Sequence, residues 1–181
     1  VAHTYTADGD SPVIEMRISK VEKMTADITK YEFTAADGAP LPVWQAGAHL
    51  DVLVSPEYLR QYSMSGNPAD RTTYQIGVLR EDDGRGGSKL MHRIFEEGRR
   101  VFVSPPINHF APEQTAQMTL LFGGGIGITP MIAMAHEVHA EGRPFALHYS
   151  GRTRASRGYL GDPAHAPWAR HVPLDIPHEC T

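Results

Sequence analysis

The run Leu120-Leu121-Phe122-Gly123-Gly124-Gly125-Ile126-Gly127-Ile128-Thr129-Pro130 constrains the fold more than any other stretch of the chain. A short apolar segment, Met118 to Phe122, stops abruptly at glycine, as a buried parallel strand does. A helix pattern follows through Met131, Ile132, Met134, Ala135 and Val138 and ends at Gly142. Thr129 is the expected N-cap and Pro130 the expected first helical residue, where a missing N–H costs nothing. Glycines let the backbone approach a ligand, and the unpaired N–H groups at a helix start attract an anion. The pyrophosphate of a dinucleotide fits that description. No Lys-Ser or Lys-Thr follows the glycines, so the loop is not of the ATPase type. The Rossmann spacing fails too. Its third glycine position holds Ile128, and the next strand, Phe145 to Tyr149, runs into Ser150-Gly151-Arg152 instead of an acid.

Upstream the pattern is different. Val13–Val21, Ile28–Phe33, Ala48–Val54, Tyr58–Met64 and Thr73–Leu79 read as short strands separated by turn clusters, which suggests a sandwich or barrel. A helix is expected from Ser88 to Glu97, with Leu90, Met91, Ile94 and Phe95 buried and Gly98 as its stop. Val101 to Val103 closes this half, and the proline-rich stretch from Ser104 to Pro112 reads as a linker. The expected fold class is therefore an antiparallel β-barrel followed by a parallel α/β unit. The expected division is a loose terminus over residues 1–11, a barrel over 12–104, a linker over 105–116 and an α/β domain over 117–181.

Composition excludes several functions. A net charge of −4 argues against a nucleic acid or an anionic membrane as the main partner. No apolar run approaches the roughly 20 residues of a membrane span. The single cysteine, Cys180, cannot by itself hold an iron–sulfur cluster, which takes several thiolates. Without a signal-peptide pattern at Val1-Ala2-His3-Thr4-Tyr5, a cytoplasmic location is expected. His136 and His139 have metal-ligand spacing on a helix but lack a third ligand, and they are read as exposed helix residues, so no metal site is expected.

Two further motifs bear on ligands. Arg60-Gln61-Tyr62-Ser63 ends an expected strand: an arginine can fork onto a phosphate, a tyrosine can lie against an aromatic ring, and a serine can donate to a polar edge. Gly84-Arg85-Gly86-Gly87-Ser88 opens the first helix and makes a second glycine-plus-helix anion site, with Ser88 as its expected N-cap.

The order Arg-x-Tyr-Ser, Gly-Arg-Gly-Gly-Ser and Gly-Gly-Gly-Ile-Gly-Ile-Thr-Pro resembles the phthalate dioxygenase reductase family, which includes vanillate demethylase reductase-like proteins, within the ferredoxin–NADP reductase superfamily. Pro106-Ile107-Asn108-His109-Phe110 resembles that family's linker, and the likeness runs from about Val13 to Tyr159. The resemblance implies an FMN-binding barrel, a nicotinamide-binding α/β domain and usually a C-terminal plant-type ferredoxin domain. It implies that Arg60, Tyr62 and Ser63, with Gln61 in the same motif, contact FMN. It places the phosphate on Gly86, Gly87 and Ser88, and the ring near Gly77 and Val78. Gly124, Gly125, Thr129 and Pro130 would support the nicotinamide and pyrophosphate, with Ser150 and Arg152 near the adenosine ribose. The implied activity is hydride transfer from a nicotinamide dinucleotide to FMN, then single-electron transfer to a [2Fe-2S] centre and a Rieske-type oxygenase. No acid–base residue is required, so no catalytic side chain is assigned. The family favours NADH, whereas Arg152, Arg154 and Arg157 after the second strand favour NADPH. Rival readings are an FAD-containing relative and a non-catalytic flavin-binding subunit of an oxygenase complex.

The sequence also departs from the family. The rest of the nicotinamide domain and the cysteine cluster of a ferredoxin domain are not found, and Asp162-Pro163-Ala164-His165-Ala166-Pro167 is proline-rich where the family favours helix. The expectation is a fragment or a natural truncation, with the [2Fe-2S] centre in a missing domain or a partner protein.

Overall fold

The computed structural model describes residues 13–113, 117–161 and 166. The expected terminus over 1–11 and the proline-rich tail motif lie largely outside them, as do His165, Trp168, His171, His178 and Cys180.

The N-terminal half is an antiparallel sheet curled into a nearly closed barrel. Its strands are β1 (Ile14–Lys23), β2 (Ile28–Ala35), β3 (Ala48–Ser55), β4 (Tyr58–Ser63), β5 (Tyr74–Leu79) and β6 (Arg100–Val103), in the order β4-β3-β6-β1-β2-β5. The two ends of that order meet through a Met64–Ile76 bridge, supported by Ser65 N–H to Gln75 O at 2.9 Å. The alternation read from sequence is the alternation of burial. In β3, Ala48, Leu50, Val52 and Val54 point inward, and His49, Asp51, Leu53 and Ser55 do not. Met16, Ile18, Phe33, Tyr74, Ile76 and Val103 complete the barrel interior. Helix α1 (Gly87–Ile94) packs against the barrel through Met91, and Phe95, just past its end, meets Tyr31 edge-on at 5.7 Å.

Two boundaries differ from expectation. The helix ends at Ile94 instead of Glu97, and Gly98 forms a later turn at φ 87°. The stretch read as a linker contains a two-residue strand, β7 (Ile107–Asn108), which pairs with β3. So short a strand has no periodicity to detect.

The second half is β8 (Thr119–Gly124), α2 (Ile128–Ala140) and β9 (Phe145–Ser150), with β8 and β9 parallel and in register from Thr119–Phe145 to Gly124–Ser150. One face of the pair packs on α2 through Leu121, Leu147 and Tyr149. Helix α2 is buried along most of its length, because it also leans on the barrel, where its Glu137 carboxylate accepts the Ala46 N–H at 2.8 Å. Gly123 permits this packing, since a Cβ there would lie 2.8 Å from the Ile128 Cα.

The helix caps also differ. A single 3-10 turn, Gly125–Gly127, precedes α2 and advances its start to Ile128. Thr129 is therefore inside the first turn, and its hydroxyl donates back to Ile126 O at 3.0 Å instead of capping. Pro130 is the third helical residue, still in the turn where no N–H is needed. In α1 the N-cap is Gly86, in the left-handed conformation at φ 89°, and Ser88 lies one residue inside the helix. Neither helix has a side-chain cap, so both leave first-turn amides available.

Candidate functional site

Strand β4 carries the first half of the site. Its period of two directs Tyr58, Arg60 and Tyr62 to one face, with Arg60 opposite Val52 and Tyr62 opposite Leu50. Helix α1 begins directly across from them. A Cβ on Gly87 would lie 2.7 Å from Arg60 Nε, so only glycine lets the guanidinium rest against the helix start. The Ser88 Oγ accepts the Glu81 N–H at 3.1 Å, which leaves its hydroxyl hydrogen free to donate. Together these groups line a cleft of about 290 Å³, whose walls are Arg60, Gln61, Tyr62, Gly77, Leu79, Glu81, Arg85, Gly86, Gly87, Ser88 and Ile126. Its lining combines two arginines, two glycines at a helix start and a hydroxyl, which is the donor set of a phosphate site.

Tyr62 forms part of the wall as a neutral phenol. Burial pushes its pKa up to about 12; Arg60 opposes the shift and Glu81 reinforces it. It keeps its proton, and so can donate a hydrogen bond, throughout the neutral range. In the same lining, Gly77 is buried on β5, and a side chain there would collide with the Tyr159 hydroxyl and the Thr129 methyl. The cleft floor is thus backbone, held from behind by two residues of the second half.

A wider cleft of about 890 Å³ adjoins this one, and Leu79, Glu81 and Ile126 line both. Its remaining walls come from Asp27 and Ile28, the loop Arg80 to Gly84, the glycine turn at Gly124 and Gly125, and Ser150, Gly151, Arg152 and Ser156. Arg80 is held by Asp27 at 2.8 Å and Asp82 at 3.3 Å, whereas Arg152 is exposed.

Twelve of the residues named from sequence can be placed on these two clefts or directly behind them. Arg60, Gln61, Tyr62, Gly77, Gly86, Gly87 and Ser88 line the narrow cleft, and Gly124, Gly125, Ser150 and Arg152 line the wide one. Thr129 is buried behind Gly77. Three others line neither: Ser63 lies across from His49 in the sheet, Val78 is fully buried, and Pro130 is on the helix. Sequence reading gave no role to Leu79, Glu81, Arg85 or Ile126. Arg85 and Ile126 were within reach, since each is embedded in a glycine motif; Leu79 and Glu81 carry no local signal. The half-buried His136 and His139 are not the exposed residues expected. Among the described residues no three His, Cys, Asp or Glu side chains cluster to hold a metal ion, and no helix is long and apolar enough to cross a membrane.

Comparison with known proteins adds to this geometry. The chain is 44% identical over 141 residues to a vanillate O-demethylase oxidoreductase from a Pseudomonas species, covering 78% of this chain and 44% of that protein. It is 36% identical over 174 residues to the phthalate dioxygenase reductase of Burkholderia cepacia, covering 96% and 54%. A solved phthalate dioxygenase reductase superposes with a TM-score of 0.87 at 37% identity, over 97% of this chain and 54% of that one. This chain is a homologue of the oxygenase reductases. It also matches an intact type IV self-sufficient cytochrome P450 monooxygenase, with a TM-score of 0.83 and 39% identity over 90% of this chain and 21% of that one. No family model matches the sequence. The chain spans about half the length of the curated relatives it matches.

Proposed function

We propose that this chain is the flavin- and nicotinamide-binding part of an oxygenase reductase. In this reading residues 12–104 hold FMN and residues 117–181 belong to the NAD-binding unit, joined by 105–116. The observation that carries it is the pair of adjoining clefts with Leu79, Glu81 and Ile126 in common, one ending in a phosphate-type donor set and the other beside the glycine turn. That arrangement suits two ligands that must touch. The residues of the narrow cleft fit FMN: a dianionic phosphate for Arg60, Arg85 and the α1 amides, and a backbone floor at Gly77 for a flat ring.

When bound, FMN supplies the chemistry of accepting two electrons and releasing them singly. The chain's residues bind and orient. Arg60 and the amides of Gly87 and Ser88 fix the phosphate, and neutral Tyr62 walls the ring and can donate to an oxygen. Ile126 lies between the two clefts and sets how closely the second ligand can approach. No proton needs to be taken by a side chain, so none is assigned as a base.

The dinucleotide assigned to the wide cleft is NADH. That choice follows the family resemblance; Arg152, exposed in the wall of the cleft, is the residue that would favour the additional phosphate of NADPH instead. The electrons would be destined for a [2Fe-2S] centre, in a further part of the polypeptide or a separate ferredoxin, and for a terminal Rieske-type oxygenase in the cytoplasm. Anaerobic addition of NADH to the FMN-loaded protein, in its longest form, should bleach the flavin absorbance near its visible maximum. Faster bleaching by NADPH, abolished in Arg152→Ala, would overturn the coenzyme assignment. No bleaching by either would leave the glycine turn at Gly125 as a packing device only.

A further inference from the structure

Tyr58 lines neither cleft, and sequence reading gave it no part in the site. It nevertheless touches both halves of the phosphate-type donor set. The Arg60 guanidinium carbon lies 4.9 Å from the centre of the Tyr58 ring, over its face. The Tyr58 hydroxyl oxygen lies 3.1 Å from where a Cβ on Gly86 would be, so the phenol is packed against the left-handed turn that opens α1. Arg60 has one further tie, Nη1 to Leu59 O at 2.8 Å, and its Nε edge is pressed on Gly87. A free arginine on a strand has four rotatable bonds and little reason to face a neighbouring helix start. Here ring, carbonyl and glycine hold its planar head in one orientation.

We propose that Tyr58 is the positioning residue of the phosphate site: its ring holds the Arg60 guanidinium in place before the ligand arrives. The inference rests on the FMN reading and refines it. The attraction is electrostatic, between the cation and the negative face of the ring. It therefore acts on a phosphorylated flavin and leaves one without the phosphate unaffected. It also depends on the aromatic face and not on the hydroxyl.

The test is a fluorescence titration of the full chain, freed of flavin, with FMN and with riboflavin. Failure of the wild-type protein to bind FMN would overturn the FMN reading itself, before any variant is made. Given binding, Tyr58→Phe should hold FMN within about twofold of wild type, whereas Tyr58→Leu and Tyr58→Gln should each weaken it roughly three- to tenfold. Riboflavin affinity should be the same in all four proteins. The double variant Tyr58→Leu/Arg60→Ala should bind FMN no more weakly than Arg60→Ala alone, because the effect runs through the arginine. Equal loss of FMN and riboflavin affinity would show that Tyr58 merely supports the strand and would overturn the proposal. Unchanged FMN binding in both Tyr58→Leu and Tyr58→Gln, or full additivity with Arg60→Ala, would overturn it as well.

Discussion

The barrel and the parallel strand pair bury their apolar residues to different degrees. In the barrel every inward residue of β3 is covered, and the ends of the strand order meet at Met64 and Ile76. In the β8–β9 pair, among the described residues, only one face is covered, by α2. On the other, Leu120 is 56% and Phe122 64% exposed, with Phe122 stacked on His148 at 4.9 Å. The difference bears directly on function. The narrow cleft is built almost wholly from barrel elements and α1, so its donors are held by a complete core. The wide cleft takes its glycine turn and Ser150 from the half-covered pair. The cleft proposed for the flavin should be the preorganised one, and the cleft proposed for the dinucleotide should be more sensitive to what surrounds it.

The largest effect that would break this comparison comes from the barrel core. Met91 is fully buried on α1, the helix whose start supplies Gly87 and Ser88. Met91→Ala should lower unfolding free energy by about 2–5 kcal/mol in a urea titration, and FMN affinity should fall with it. Retained stability and retained affinity together would mean that α1 is not anchored by its packing. Next is Arg60→Ala, which should weaken FMN by about 1.5–3 kcal/mol, the range of a hydrogen bond to a charged group, with no change in melting temperature. A melting temperature that fell by many degrees would show the arginine to be structural.

Gly77→Ala probes the contact between the two halves. Its methyl would meet Tyr159 and Thr129, and overpacking of this kind costs about 1–3 kcal/mol. Hydrogen exchange should then speed up in α2 and β9 more than in β1 and β2. Uniform acceleration would mean that the halves do not separate. The last and smallest effects are those of pH and of the open face. Burial lowers the His92 pKa, against the opposing Val78 carbonyl, which its Nε2–H reaches at 3.0 Å. The unfolded chain then binds more protons than the folded one below the usual histidine value, so this contribution is present above about pH 6.5 and lost as pH falls through the lower folded value. Melting temperature should decline less steeply on acidification in His92→Gln than in the wild type. Phe122→Thr should change stability by no more than about 0.5 kcal/mol, since the ring is mostly exposed, while raising solubility.

What could be read from sequence follows the same division. β1 to β5 were legible to within a residue or two, β3 by its alternation and the more fully buried β2 and β5 by apolar runs between turn clusters. Glycine motifs at helix starts were legible because backbone freedom is a property of the residue itself: Gly86, Gly87, Gly124 and Gly125 all line a cleft. Helix caps were misplaced because Ser88 has another partner, the Glu81 N–H, and because the 3-10 turn Gly125–Gly127 carries Thr129 inside α2, where its hydroxyl bonds Ile126 O. Leu79, Glu81 and Tyr58 could not be found locally either. Glu81 matters through Ser88, and Tyr58 through the Arg60 guanidinium, which the start of α1 turns onto its ring.

The central claim is that the narrow cleft is an FMN site with its phosphate between Arg60 and the start of α1. The most direct test is competitive titration of the flavin-free protein with FMN, FAD and riboflavin. The account predicts that FMN binds at one equivalent and more tightly than riboflavin by about tenfold or more, the worth of charge-assisted phosphate contacts, and more tightly than FAD. FAD binding tighter than FMN, or riboflavin binding as well as FMN, would contradict it.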